Sequence, residues 1–213
     1  SVIGEGKPIE DAAWKVTGRK QYVADMKVPQ MAYGKILYST IPHGSIIRID
    51  TSKAEALPGV LAVADYRNSP MTPYNSAKRF IGQQVISNET IFAQRCRFVG
   101  DRVAAVAAES EEIAAKAIRL IEVEYEPLPF VTDIPSAIQE DAYPVHEGGN
   151  VITGMETHCG DAEAAFAKCD HVIEDTYTTP PIHHAAIEPH AVLADWGPDG
   201  KLTVYSANQN CFA

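Results

Sequence analysis

Between residues 99 and 126 the hydrophobic pattern changes period twice. The stretch "VGDRVAAVAAESEEIAAKAIRLIEVEYE" opens with a continuous apolar run, RVAAVAA, which predicts a buried strand. Ser110 follows as an N-cap, with Glu111 and Glu112 in the first helical turn, where the helix dipole favours negative charge. Ile113, Ala117 and Leu120 then fall on one helical face. From Ile121 onward the period becomes two. Ile121, Val123 and Tyr125 alternate with Glu122, Glu124 and Glu126, which predicts a strand with one face in water. Strand, helix and strand in this order make an α/β unit.

A related helix–strand pair is predicted over 52–65. Ser52 and Glu55 have the spacing of a capping box, Pro58-Gly59 stops the helix, and VLAVAD reads as a buried strand. After residue 126 the pattern weakens. Pro127, Pro129 and Pro135 predict an extended crossing segment, and a domain boundary is placed near residue 130, giving 1–129 and 130–213. Beyond it, DAEAAFAKC reads as a helix and HVIEDTYTTP as a strand. AIEPHAVLADW and KLTVYSA read as two strands joined by a turn at Pro198-Asp199-Gly200. The fold class expected is α/β followed by an incomplete α+β part.

Composition narrows the function classes. The chain has 213 residues, 46% hydrophobic and 22% charged, enough apolar material for a core. No apolar run approaches the roughly 18 residues of a membrane span. The opening, SVIGEGKPIEDAAWK, lacks the character of a signal peptide. A net charge of −10 argues against a nucleic-acid partner. Cys96, Cys159, Cys169 and Cys211 are widely spaced, which suits reduced cytosolic thiols better than disulfides, a zinc knuckle or iron–sulfur ligation. Trp14, Tyr33 and Tyr38 are expected as core or interface aromatics. The glycines of HEGGN suit a turn and match no phosphate-loop pattern.

The chemically richest stretch is PPIHHAAIEPHA, with His183, His184, Glu188 and His190. Zinc takes imidazole and carboxylate ligands, so a zinc hydrolase built on His183, His184 and His190 is one reading. Pro180, Pro181 and Pro189 argue against the helix that would place ligands at i and i+4. On a strand, His184, Glu188 and His190 share one face but spread over about 20 Å at ~3.3 Å per residue, too far for one ion. The simpler reading is a buried strand whose polar side chains bond to nearby backbone. A buried Glu188 would then have to be paired or protonated. An acid–base role stays open, with no partner at a defined distance.

Taken in order, the motifs resemble a family. "DAAWKVTGRKQYVADMKVPQMAYGKILYSTIPHGSIIRID", then A-x-x-LPGVLAV, FVGDRVAAVAAE, AAKAIRLIEVEYEPLP and PVHEGGNV, are similar to the amino-terminal part of the molybdenum-binding subunit of the xanthine dehydrogenase / aldehyde oxidase family. The resemblance covers nearly the whole chain. It implies an α/β hammerhead domain over roughly 12–127 and the start of a mixed α+β molybdopterin-binding domain after it. It implies a cytoplasmic, multi-subunit molybdenum hydroxylase acting on a heterocycle or aldehyde with oxygen taken from water. Electrons would pass to partner subunits or domains carrying 2Fe-2S clusters and FAD, and the pterin would be the cytosine dinucleotide form. HHAAIEPHAVLADW is similar to the family's histidine–glutamate segment, so His184 and Glu188 are implied as supports of the cofactor region, with the metal held by the pterin dithiolene. LTVYSANQN is similar to the family strand that ends in a glutamine, so Gln209 is implied to hydrogen-bond an oxygen on molybdenum; Ala207-Asn208 replaces the commoner Ser-Thr. The family's glycine-rich loop and glutamate base correspond to positions beyond 213. The chain alone is therefore expected to carry no catalytic residue, to bind no molybdenum and to be inactive. The alternative is a non-catalytic α/β module that docks onto other subunits.

Overall fold

The computed structural model describes residues 3–76, 87–151 and 157–208. The chain forms two compact units: Gln30–Gly160, and Ser1–Pro29 together with Asp161–Phe212.

In the larger unit, β5 (Arg102–Ala108) lies between β1 (Tyr33–Tyr38) and β3 (Val60–Asp65), antiparallel to both. A second sheet places β2 (Gly44–Asp50) between the short β4 (Arg95–Cys96) and β6 (Glu122–Pro127). The predicted strand–helix–strand is present: β5 leads into α3 (Glu111–Ile118), which leads into β6. Ser110 Oγ accepts a hydrogen bond from the Ile113 amide at 3.2 Å, satisfying one of the free N–H groups of the first turn. Ala114 and Ala117 of α3 are fully buried, as are Val103, Ala104 and Ala108 of β5. With Ile46, Ile49, Cys96 and Ile121 they form the core. On β6 the three glutamates are exposed and Val123 and Tyr125 half-buried, as the period of two predicts.

Three local readings need correction. The helix α2 (Ser52–Glu55) forms, but Thr51 is its N-cap. Ser52 is already helical, and its amide and hydroxyl donate to Asp50 Oδ1 at 3.1 and 2.7 Å, so the reciprocal capping box does not form. The proline-rich crossing segment contains a single helical turn, α4 (Ile134–Ala137). Asp133 accepts from the Ser136 amide at 2.8 Å, and Pro135 sits in the first turn, where its missing N–H has no helical partner to lose. Trp14 and Tyr38, expected as core or interface aromatics, are 60% and 50% exposed, which removes the core half of that expectation and leaves the interface half standing.

Close approach fixes two glycines. At Gly44 a Cβ would lie 2.7 Å from the Glu126 carbonyl oxygen on the paired strand β6. Gly59 adopts φ +86 in the turn into β3, and a Cβ there would meet Ile113 Cδ1 of α3 at 2.6 Å.

The smaller unit holds α1 (Ala12–Val16), a 3-10 turn at Val23–Asp25, α5 (Ala162–Phe166) and the hairpin of β7 (Val192–Trp196) with β8 (Leu202–Ser206). Asp161 caps α5 by accepting from the Ala164 amide at 2.9 Å. The hairpin turn is where the sequence puts it. Gly200, at φ +78, donates to the Gly197 carbonyl at 3.0 Å. The strand expected at 171–180 is not formed, and the one expected from 186 begins only at Val192. A strand needs a neighbour to satisfy its backbone, and no strand among the described residues lies beside 171–191. Pro189 also removes a ladder donor.

Asp65, 1% exposed at the end of β3, makes a compact ion pair. Arg67 reaches back through its amide, Nε and Nη2, at 2.7, 3.1 and 2.6 Å. Burial pushes the Asp65 carboxyl upward, but the Arg67 hydrogen bonds and charge outweigh it and hold the carboxyl below its ordinary value. A carboxyl lowered on folding stabilises the fold above its unfolded pKa of about 3.9, and that contribution is lost as pH falls through the lower folded value. Arg67→Gln should cost about 1–3 kcal/mol in urea unfolding at pH 7. It should also flatten the loss of stability below pH ~4 relative to the native chain.

Candidate functional site

The histidine-rich segment lies in the smaller unit as irregular backbone leading into β7. Its shape comes from a bend, with Ala185 in the left-handed region at φ 44. The Ala185 amide donates to His183 Nδ1 at 3.0 Å, which leaves the His183 proton on Nε2. The bend brings the histidines together. The rings of His183 and His184 stack with centroids 5.1 Å apart and 9° between planes. His184 and His190 lie 6.5 Å apart at 44°. The extended arrangement expected for His184, Glu188 and His190 is therefore corrected, since there is no strand here to spread them. Ring orientation, rather than distance, now stands against a single ion. Ring nitrogen lone pairs lie in the ring plane, so two nearly parallel stacked rings do not converge on one point. Among the described residues no group of three histidine, cysteine or acidic side chains could hold a metal ion.

Glu188 is half-buried, in contrast to its exposed histidine neighbours. Its Oε1 accepts from the Val23 amide at 3.4 Å, across 165 residues of sequence. Val23 opens the 3-10 turn, whose first amides have no internal partner. Within the same turn, the Tyr22 amide donates to Asp25 Oδ2 at 3.0 Å. The carboxylate of Glu188 thus ties the His184–His190 bend to the Tyr22–Asp25 turn inside one unit. Gln209 lies outside the described residues, as does Cys211. Cys96, Cys159 and Cys169 are free. Burial pushes the Cys96 thiol up, which makes it an inert core residue.

A second polar constellation, in the larger unit, was not visible from the sequence. His43 is 1% exposed. Its Nδ1 lies 2.6 Å from the Pro129 carbonyl, and Arg95 Nε donates to its Nε2 at 3.0 Å. A guanidinium cannot accept, so Nε2 carries the lone pair and Nδ1 the proton. Tyr143 packs edge-on against this ring at 5.6 Å. Arg95 and Arg97 also reach the Pro144 and Val145 carbonyls. The turn Pro-His-Gly at 42–44 was the available signal, but its partners lie 52 and 86 residues away.

Two family matches follow one another along the chain and define the class: a hammerhead domain, then a cofactor-binding domain. Residues 17–129 match the family described as aldehyde oxidase and xanthine dehydrogenase, a/b hammerhead domain, and residues 145–213 match the molybdopterin cofactor-binding domain. The chain belongs to the aldehyde oxidase and xanthine dehydrogenase family. It is 35% identical over 209 residues to the nicotinate dehydrogenase large molybdopterin subunit of Eubacterium barkeri, covering 98% of this chain and 48% of that one. It is 33% identical over 203 residues to the xanthine dehydrogenase molybdenum-binding subunit of Escherichia coli O157:H7, covering 93% and 27%. Among solved structures, quinoline 2-oxidoreductase from Pseudomonas putida 86 superposes with a TM-score of 0.83 at 28% identity, covering 98% of this chain and 27% of that one. Aldehyde oxidoreductase from Desulfovibrio gigas gives 0.80 at 29%, covering 93% and 23%. The chain spans about half the length of the curated relatives it matches, or less. No helix among the described residues is long and apolar enough to cross a membrane.

Replacing Glu188 by alanine removes the acceptor of the Val23 amide. Hydrogen exchange at that amide should speed up about two- to fivefold, while the Ser110–Ile113 cap of α3 exchanges unchanged.

Proposed function

We propose that the protein carrying this chain is a molybdenum hydroxylase that adds water-derived oxygen to an electron-poor carbon of a heterocycle or aldehyde. The observation that carries this is the ordered match of the hammerhead and molybdopterin-binding domains along one chain. The names of the relatives, nicotinate, xanthine and quinoline enzymes among them, favour a nitrogen heterocycle. The domain division is placed at 129/130, with the first domain as scaffold and the second as cofactor shell. The cofactor is proposed to be molybdopterin cytosine dinucleotide, and the partners subunits or domains with 2Fe-2S clusters and FAD. Free cysteines suit a reducing, cytoplasmic setting.

The bound cofactor would supply the two-electron oxidation, and this chain's residues would orient it. Gln209 would donate its neutral amide to an oxygen on the metal, adding no charge. Glu188 would hold the backbone bend that carries His184, and His184 would line the cofactor region. Neither has a place in proton transfer on this reading. The competing docking-module reading keeps the fold and drops the cofactor.

The test uses the intact enzyme, isolated with its partner subunits. Gln209→Ala should lower kcat for nicotinate-like or purine substrates roughly 10–100-fold, with molybdenum still bound. Isolation of the intact enzyme free of molybdenum and pterin would overturn the reading in favour of the docking module. The 213-residue chain alone should show no turnover with purines, nicotinate or aldehydes, and no molybdenum by elemental analysis. Clear turnover by that chain would overturn its assignment as a piece of the catalytic unit.

A further inference from the structure

Arg95 and Arg97 are two apart on and just past β4, so strand alternation sends both to one side while Cys96, fully buried, points into the core. Both arginines are half-buried. Among the described residues neither guanidinium has a carboxylate within ion-pair distance, whereas Lys35, Arg48, Lys53, Arg67 and Arg102 of the same unit each do. The two side chains converge on adjacent peptide units. Arg95 Nη2 donates to the Pro144 carbonyl at 3.5 Å, and Arg97 Nε donates to the Val145 carbonyl at 3.3 Å. Arg95 Nε is held by His43 Nε2 at 3.0 Å, and His43 in turn by the Pro129 carbonyl. These bonds fix each guanidinium through its Nε edge. Among the described residues Arg95 Nη1 and both Nη groups of Arg97 are left as donors for a further acceptor. A guanidinium fork of this kind pairs with the oxygens of an anion.

We propose that Arg95 and Arg97 form a binding site for a phosphoryl group. Two fixed positive charges call for a dianion, and tetrahedral oxygens can accept from two guanidinium forks at once, whereas a planar carboxylate satisfies one. The next residue, His146, belongs to the same site. Burial, then Arg97, Arg95 and His43, push its pKa below the ordinary 6.5. A bound dianion offsets the two guanidinium charges and shifts that pKa upward. The other groups near the site are Tyr143, packed on His43, and Asp101, which accepts from the Arg97 amide at 3.1 Å. The plain alternative is that the arginines only clamp the 143–150 turn to β4.

The experiment is a calorimetric titration of the 213-residue chain with inorganic phosphate, nucleoside monophosphate and acetate at matched ionic strength. A parallel NMR titration follows His146 against pH. Saturable phosphate binding, acetate about tenfold weaker or more, and an upward move of the His146 midpoint with phosphate support the site. Tighter binding of the monophosphate assigns the phosphoryl group to a larger ligand, and equal binding assigns it to free phosphate. Arg97→Gln should weaken phosphate about tenfold, the loss of one charge-assisted pair. Arg97→Lys should recover only part, because an ammonium has no fork. Lack of saturation, equal acetate binding, or an unmoved His146 midpoint overturns the proposal. The His146 readout needs no variant, so a misfolded Arg97 substitution leaves the test decisive. None of these outcomes depends on whether the protein binds molybdenum.

Discussion

Strand β5 can be covered on both faces only because its residues, and those of the helix laid against it, are small. Val103, Ala104, Val106 and Ala108 are at most 1% exposed, and so are Ala114 and Ala117 of α3. Alanine at these positions lets the helix axis approach the sheet closely, and interiors packed to crystal density leave no room for a larger side chain without displacement. The same closeness explains Gly59, whose missing Cβ makes way for Ile113 of α3. It also explains why the helix is short: Ser110 starts it directly after the strand, and Ile121 must re-enter the core at the head of β6. Removing the fit between β5 and α3 would leave β1 and β3 paired to a strand with one face uncovered.

That constraint is local, which is why it was legible. The changes of period from a continuous apolar run to a helical face to strict alternation all fall within one stretch of sequence. The Ser110 cap, the wet glutamate face of β6 and the β7–β8 turn were readable for the same reason, as was the position of β3, though not the burial expected of it, since Leu61 is 56% exposed. What failed depends on partners far along the chain. HVIEDTYTTP alternates like a strand, but alternation reports only that one face could be buried, and no neighbouring strand among the described residues is there to pair with it. Thr51 displaced Ser52 as the cap because Asp50 captures the Ser52 hydroxyl and amide first. The three prolines after 126 hid a helical turn, since proline is compatible with a first turn as well as with extended chain. Gln209 rests on resemblance alone.

The histidine segment shows the limit of spacing arguments in both directions. Distances along an extended strand excluded a shared ion, yet a left-handed residue at Ala185 folds His183, His184 and His190 into contact. Proximity by itself does not make a ligand set, because stacked rings aim their lone pairs side by side. The long-range contact from this segment is the Glu188 carboxylate on the Val23 amide, which is a positioning contact.

The buried polar contacts of the larger unit follow a different rule from its apolar core. His43 cannot be replaced by an apolar residue of like size without stranding Arg95 Nε and the Pro129 carbonyl together, so the ring bridges two groups that otherwise lose their partner. Because a guanidinium can only donate, the ring must present a lone pair at Nε2, and its single proton is then committed to Nδ1. The orientation of Arg95 is thereby set from behind by a group that adds no charge, and the cationic end of the side chain stays uncompensated. A carboxylate in place of His43 would hold the same arginine and cancel its charge. Histidine holds it and leaves the charge available at the surface.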